Sequence, residues 1–266
     1  MRKVENTHLS LITVTRNDRS GLARTFQSLE SQEIEPSKWE RIEWIVIDGA
    51  STDDTQEFVS LIKFKGKLTF LSEPDFGIFD AMNKGCRMAS GKSVLFLNAG
   101  DALAERDILE SLINLIKKNH NFIISGKVRM HWNQYVSVSD LAPWVCHQAV
   151  VVPKNILIKY PFDANKKFFG DLHLWMRLKN DNLFSPHRVD LVICDFYLGG
   201  VGNNPKYLWK RFIERRKISV EFNDGSSYVS RLLLTIFFIT IAALFGKTAY
   251  YKTMWFTSDL LHKFRN

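Results

Sequence analysis

Residues 42–53 read IEWIVIDGASTD, and this stretch decides the fold. Ile42–Ile47 is an apolar, β-rich run of strand length. Asp48-Gly49-Ala50-Ser51-Thr52-Asp53 is then a turn, which flows into a capped helix carrying Phe58, Leu61 and Ile62. The same alternation extends on both sides. Upstream, Leu9–Thr15 (LSLITVT) is a strand, and Asp18 and Ser20 open a helix through Leu22, Phe26 and Leu29. Downstream, 68–71 is a third strand, 78–89 a third helix and 93–97 (SVLFL) a fourth strand. Strands alternating with helices at this spacing predict an α/β domain with a mostly parallel sheet covered on both faces.

In such sheets ligands bind beyond the carboxyl ends of the strands. Polar residues stand at those ends here: Thr15-Arg16-Asn17, Asp48, Glu73-Pro74-Asp75 and Asn98-Ala99-Gly100-Asp101. No G-x-G-x-x-G follows the first strand and no G-x-x-x-x-G-K-[ST] occurs, which argues against a dinucleotide-dependent dehydrogenase and a P-loop enzyme. A nucleotide-sized crevice lined by acidic and amide groups remains. Cys86, Cys146 and Cys194 are odd in number and in no metal-type spacing, so they read as free thiols in a reducing compartment. The run Leu9–Val14 is too short for a signal-peptide core, and the expected compartment is the cytoplasm.

The net charge of +8 is unevenly placed, because residues 206–266 carry 11 Lys/Arg against 4 Asp/Glu. Leu232–Phe245 (LLLTIFFITIAALF) is uncharged and mostly apolar, and Tyr250, Tyr251, Trp255 and Phe256 follow, interleaved with Lys252. Apolar residues flanked by basic and aromatic ones suit an anionic membrane surface better than nucleic acid. The run is shorter than the roughly 20 residues that cross a bilayer, so a monotopic or dipping segment is expected. A core helix of a small bundle, or an oligomer contact, is the other reading.

The runs LITVTRN, VIDGASTDDT, SEPDFGIFDAMNKG, FLNAGD and GDLHLWMRL, in this order over about residues 9–180, resemble glycosyltransferase family 2. Within it they look like the bacterial enzymes of colanic acid, capsule and O-antigen synthesis. The resemblance implies a GT-A nucleotide-diphospho-sugar transferase fold, a divalent metal (Mn2+ or Mg2+) and inversion at the anomeric carbon.

Glycosyl transfer needs the leaving diphosphate neutralised, the acceptor hydroxyl deprotonated and the reacting atoms aligned. The resemblance implies Asp48 as the residue holding a uracil-type base, with Thr15 and Asn17 flanking base and ribose. As bare sequence, Asp48 only begins an Asp-Gly turn and Asn17 caps a helix. Asp80 lies in the segment that wraps the nucleotide in family members. Members commonly carry Asp-x-Asp-Asp where this chain has Asn98-Ala99-Gly100-Asp101. The departure leaves Asp101 as the metal carboxylate and Asn98 as a donor-binding amide. One or two carboxylates with substrate phosphates suffice for Mg2+; a plain strand-end turn is the alternative.

Asp171 matches the family's catalytic base, ahead of Leu174-Trp175-Met176-Arg177; otherwise it is an ordinary N-cap. His147, in Cys146-His147-Gln148, is a candidate contact for phosphate or acceptor, and His173 a supporting or surface group. Trp132, Trp144 and Trp175 are candidates for stacking on sugar, with core packing the default for Trp175.

These readings give a catalytic domain over 5–205 and a basic, aromatic and apolar helical region over 206–266. The expected function is transfer of a sugar from a nucleotide-sugar donor, UDP-sugar favoured, to a polyprenyl-diphosphate-linked or saccharide acceptor of a bacterial surface polysaccharide. The place is the cytoplasmic face of the plasma membrane, and no nucleic-acid partner is expected. A nucleotidyltransferase and an inactive, membrane-bound partner of a polysaccharide assembly complex are the rivals.

Overall fold

The computed structural model describes residues 8–119, 121–133, 135–139, 146–225 and 228–263, so Trp144 lies outside the described residues. The strands are β1 (Leu9–Thr15), β2 (Ile42–Asp48), β3 (Lys67–Ser72), β4 (Ser93–Phe96), β5 (Ala102–Leu103), β6 (Ile124–Trp132), β7 (Tyr135–Ser139), β8 (Val150–Pro153) and β9 (His187–Tyr197). The helices are α1 (Arg19–Glu30), α2 (Thr55–Leu61), α3 (Ile78–Met88), α4 (Ile108–Asn119), α5 (Lys154–Lys159), α6 (Gly170–Asn180), α7 (Leu208–Glu221) and α8 (Tyr228–Lys263).

Among the described residues the strands join in the order β3-β2-β1-β4-β8-β6-β9-β5, with β7 paired to β6. The β3-β2-β1-β4 half is parallel, as the alternating sequence predicts. Beyond β4 the sheet departs from that expectation: β8 runs antiparallel to β4 and β6, and β5 antiparallel to β9. The sheet is mixed.

Every residue of β1 and β2 is buried, because helices cover both faces. Side chains alternate across a strand. Leu9, Leu11, Trp44 and Val46 therefore pack with Leu22 and Leu29 of α1 and Leu109, Leu112 and Ile113 of α4. Ile12, Val14, Ile45 and Ile47 face the other way, onto Phe79, Met82 and Cys86 of α3 and Leu174, Trp175 and Leu178 of α6. Trp175 is 1% exposed and stacks on Phe184 at 5.2 Å between ring centroids. It is a core residue with no ring face open to solvent, as core packing of an indole on the buried face of a helix predicts.

The chain forms two compact units. One runs to Met130 and takes in Val138–Phe196; the other comprises His131–Ser137 and the residues from Tyr197 onward. In the second unit α8 contains one residue far from helical geometry, Gly246 at φ 78°, ψ 179°, a region essentially reserved for glycine. Twelve residues of straight helix would separate Phe238 from Tyr250 by about 18 Å, yet their rings lie 5.7 Å apart. The element is therefore a hairpin of two rods, 228–245 and 247–263. It turns Tyr250 and Tyr251 inward against Phe238 and Trp132. This corrects the reading of those tyrosines as interfacial aromatics and of Trp132 as a sugar platform. Val229, Leu233, Leu234, Ile236, Phe237, Leu244 and Phe245 of the first rod are exposed.

Candidate active site

The parallel strands bring their polar ends side by side, Thr15 in register with Asp48 and Asp48 with Ser72. Thr15 is buried, and its hydroxyl has no hydrogen-bond partner. Asn17 sits at φ 50° and ties the end of β1 to the turn after β2. Its Oδ1 accepts from the Thr52 N–H at 2.8 Å, and its own N–H donates to Ser51 Oγ at 2.7 Å. The cap of α1 is Asp18, whose Oδ1 accepts from the Gly21 N–H at 2.9 Å. Asp48 is wholly buried, and its carboxylate accepts from the Ser51 N–H (3.0 Å), the Ser51 hydroxyl and the Ser72 hydroxyl (2.6 Å). In the first turn of α3, Asp80 Oδ2 accepts from the Phe76 N–H at 3.1 Å and faces the Lys84 ammonium at 3.8 Å.

A second cluster forms where β4 ends. Asn98-Ala99-Gly100-Asp101 is a tight turn closed by the Asp101 N–H on the Asn98 carbonyl at 3.0 Å. Gly100 adopts φ 96°, a conformation that strains any residue with a Cβ, so the backbone geometry of this turn suits glycine at position 100. Thr25 of α1 braces the turn by donating to the Asp101 carbonyl at 2.7 Å.

A 3-10 turn, His147–Ala149, lies against this segment and presents two side chains in succession. Asn98 Nδ2 is 3.1 Å from His147 Nε2, and Gln148 Nε2 donates to Asp101 Oδ2 at 3.2 Å. The other ring nitrogen, His147 Nδ1, is 2.9 Å from Asp171 Oδ2. Asp171 is the second residue of α6 and not its cap, since Phe169 holds that position. Its Oδ1 accepts from the Leu172 N–H at 2.8 Å, and the helix N-terminus favours a negative charge there. Asn98, Asp101, His147 and Asp171, all singled out in the sequence, thus meet in one network. His173, also on α6, is buried.

Gln148 and Cys146 complete the cluster, and no sequence motif assigns either a role. Cys146 Sγ donates to Gln148 Oε1 at 2.5 Å, which leaves the amide nitrogen for Asp101. The one sign of this in the sequence is their adjacency to His147. Burial and the neighbouring Asp171 charge push the Cys146 thiol well up, so it stays protonated as a donor.

Two features test whether a divalent cation suits this cluster. Burial pushes the Asp101 carboxyl up to about 7, against the pull of His147 and Gln148, so its negative charge is poorly compensated. Asn98 Oδ1 is buried with no hydrogen-bond partner. Among the described residues no three His, Cys, Asp or Glu side chains converge as a self-sufficient metal cage. One carboxylate and one amide oxygen fit a hard cation that takes its remaining ligands from phosphate and water.

Residues 10–158 match the family model described as Glycosyl transferase family 2. An uncharacterised glycosyltransferase of Mycobacterium tuberculosis (strain CDC 1551 / Oshkosh) is 38% identical over 212 residues, covering 74% of this chain and 77% of that protein. A PGL/p-HBAD biosynthesis glycosyltransferase of Mycobacterium bovis (strain BCG / Pasteur 1173P2) is 24% identical over 189 residues, covering 66% and 73%. Among solved structures, S. aureus TarS 1-349 in complex with UDP-GlcNAc superposes with a TM-score of 0.63 at 17% identity, over 85% of this chain and 69% of that one. The mannosyltransferase PcManGT of Pyrobaculum calidifontis, in complex with GDP-Man and Mn2+, gives 0.62 at 15% identity, over 95% and 80%. The fold is GT-A. With more than half its length matched by the family model, the chain belongs to glycosyltransferase family 2 and is a glycosyltransferase.

Proposed function

We propose that the enzyme transfers a sugar, with inversion, from a nucleotide diphosphate donor to a lipid-linked or saccharide acceptor in the synthesis of a bacterial surface polysaccharide. The observation that carries this reading is the Asp171–His147–Asn98 chain, with links of 2.9 and 3.1 Å. It joins the candidate base to the turn where a diphosphate would sit, so both ends of a displacement reaction fall within one network.

In the proposed step the acceptor hydroxyl attacks the anomeric carbon on the face opposite the leaving group. A carbon–oxygen bond to the acceptor forms, the bond to the diphosphate breaks, and its electron pair leaves on the diphosphate. Asp171 takes the hydroxyl proton. Its two oxygens each accept one hydrogen bond within the chain, which leaves acceptor capacity for the substrate. A divalent cation, Mn2+ or Mg2+, would be held by Asp101 and Asn98 Oδ1 and would neutralise charge on the diphosphate. Thr15, whose hydroxyl is unpartnered, together with Asn17, Asp48 and Asp80, would line the nucleoside end. A UDP-sugar is the favoured donor, since a carboxylate at Asp48 can accept from a uracil N–H. The UDP-GlcNAc complex of one structural neighbour and the GDP-Man and Mn2+ complex of another support a nucleotide-sugar donor.

The second unit would dock the enzyme on the cytoplasmic face of the plasma membrane. Tyr228–Met254 is long and apolar enough to cross a membrane, and little of it is buried, but the reversal at Gly246 suits a hairpin dipping into one leaflet. Arg216 and Lys217, with Glu221 beside them, line a groove with Trp209, Phe212, Ile213, Val220 and Tyr228, and its apolar surface with a net positive charge suits anionic amphiphiles.

The test is turnover of a panel of UDP-, GDP- and dTDP-sugars with lipid extract as acceptor, with and without Mn2+ or Mg2+. Metal-dependent release of one nucleotide diphosphate, lost in Asp101→Ala and Asp171→Asn, is expected. Silence across the panel, with no donor binding by calorimetry, would mean an inactive partner of an assembly complex.

A further inference from the structure

We infer that His147 is a positioning residue that commits the nitrogen of the Asn98 side-chain amide to the imidazole ring and so reserves its oxygen for the ligand; this rests on the glycosyl-transfer reading of the site. An ionised carboxylate only accepts hydrogen bonds. The contact from His147 Nδ1 to Asp171 Oδ2 at 2.9 Å therefore needs the ring proton on Nδ1. The group that faces Nε2 at 3.1 Å is the Nδ2 amide of Asn98, which can only donate, so Nε2 is the acceptor of that contact. With its nitrogen engaged, the amide has one acceptor left, Oδ1, and that atom is the one buried without a partner.

Asparagine at position 98 is on this account half of a matched pair. An aspartate there would set a second carboxylate against the ring, which could meet it only as an imidazolium held between two carboxylates, so the added charge would be spent on His147 and not on the ligand. A side chain at position 100 would be strained by the positive φ of Gly100, and Asp101 holds the turn's only negative charge. His147 and Gln148 grip the two ends of the turn from consecutive positions. The departure from the Asp-x-Asp-Asp pattern is thereby compensated in the neighbouring 3-10 turn, as an outer hydrogen bond orients a ligand-binding group.

The test is the tautomer of His147 in the full chain free of donor and metal, read from ring-nitrogen chemical shifts. The signal is assigned by its loss in His147→Gln and by proximity to the Phe96 ring, which lies 6.5 Å away. A proton on Nδ1 and a bare Nε2 are expected. A proton on Nε2, or on both nitrogens, overturns the inference, because the ring would then donate to Asn98 and occupy its oxygen.

A double-mutant cycle on UDP binding with Mn2+ supplies the second arm. Asn98→Asp is expected to weaken binding about tenfold, within the range of outer-shell losses. His147→Gln, whose amide can donate to the new carboxylate, is expected to recover most of that loss in the Asn98→Asp background. Tighter binding by Asn98→Asp whatever stands at 147 overturns the inference. The tautomer is read without any nucleotide, so a wild type that bound no donor would sink the glycosyl-transfer reading and leave this arrangement to be decided by the ring nitrogens.

Discussion

Gln148 Nε2 donates to Asp101 Oδ2 at 3.2 Å, and it is the side-chain donor the structure gives to a carboxylate only 5% exposed. One neutral amide does not offset burial, and the Asp101 carboxyl titrates at about 7 against 3.8 when free. The folded chain thus binds more protons than the unfolded chain between those values. Stability contributed by this group falls as pH rises through that window and stays low above 7. The full penalty is on the order of 4 kcal/mol. Asp101→Asn removes it: in EDTA the variant should melt several degrees above wild type at pH 8 and alongside it near pH 4. It should also release no nucleotide diphosphate. Equal melting temperatures at pH 8 would mean that the charge is already compensated.

Trp175 separates packing from substrate contact. Its ring is closed in between α6 and the sheet with Phe184, so Trp175→Ala should cost about 3–5 kcal/mol. At a temperature where the variant stays folded, acceptor KM should be unchanged. A raised KM with an unaltered melting temperature would restore the indole as a sugar platform.

The contrast between Trp175 and Gln148 shows which features the sequence carries. Strands β1, β2 and β4 were legible to within a residue or two, since strands buried on both faces are nearly continuous apolar runs closed by polar ends, and the half-exposed β3 was legible from its place in the strand–helix alternation. The two-residue strand β5 has no local signal at all; Ala102 and Leu103 are a strand only because β9 pairs with them. The site residues were legible as types, but their mutual contacts were not. Residues 98, 101, 147, 148 and 171 come together only when β8 runs back along β4, a pairing no short-range pattern announces. Gly246 directly follows the apolar run Leu232–Phe245, a place where a glycine ends a regular element, although no break was expected there from the sequence. Its consequence, tyrosines folded inward, depends on the angle it adopts.

Glu43 anchors the far end of the parallel sheet. Burial raises its carboxyl, but donors from Ser10, Ser90 and Gly91 outweigh that and hold it below the ordinary glutamate range. An acid with a lowered folded value contributes stability above its unfolded value near 4.5, and that contribution disappears as pH falls through the folded value. Glu43→Gln turns an NH2 toward donors and should lower stability at pH 7 by about 2–3 kcal/mol. Chemical denaturation across a pH series checks this: the difference between the two proteins at pH 7 should narrow as pH is lowered below 4.5.

The hairpin in α8 depends on backbone freedom at Gly246. A side chain at φ 78°, ψ 179° is strained by about 1–3 kcal/mol. Gly246→Ala should therefore loosen the contact of Phe238 with Tyr250 while leaving the first unit intact. Hydrogen exchange should speed up selectively in residues 236–252, with no change in β1 to β4. Uniform protection would show that the reversal is held by packing and not by the glycine.

Cys146 controls Gln148 through a single proton. Because the thiol donates to Oε1, the amide cannot rotate to present oxygen to Asp101. Cys146→Ala removes that constraint and lets Gln148 set an acceptor against the carboxylate, which should lower kcat/KM about three- to tenfold, matching a lost hydrogen bond of about 1 kcal/mol. Cys146→Ser supplies another donor and should keep most of the activity. Burial and the Asp171 charge raise the thiol well above its ordinary range, so the native protein should also resist a thiolate-specific reagent at pH 8 and react once unfolded. Equal losses in the alanine and serine variants would assign Cys146 to packing alone and leave the orientation of Gln148 to some other donor.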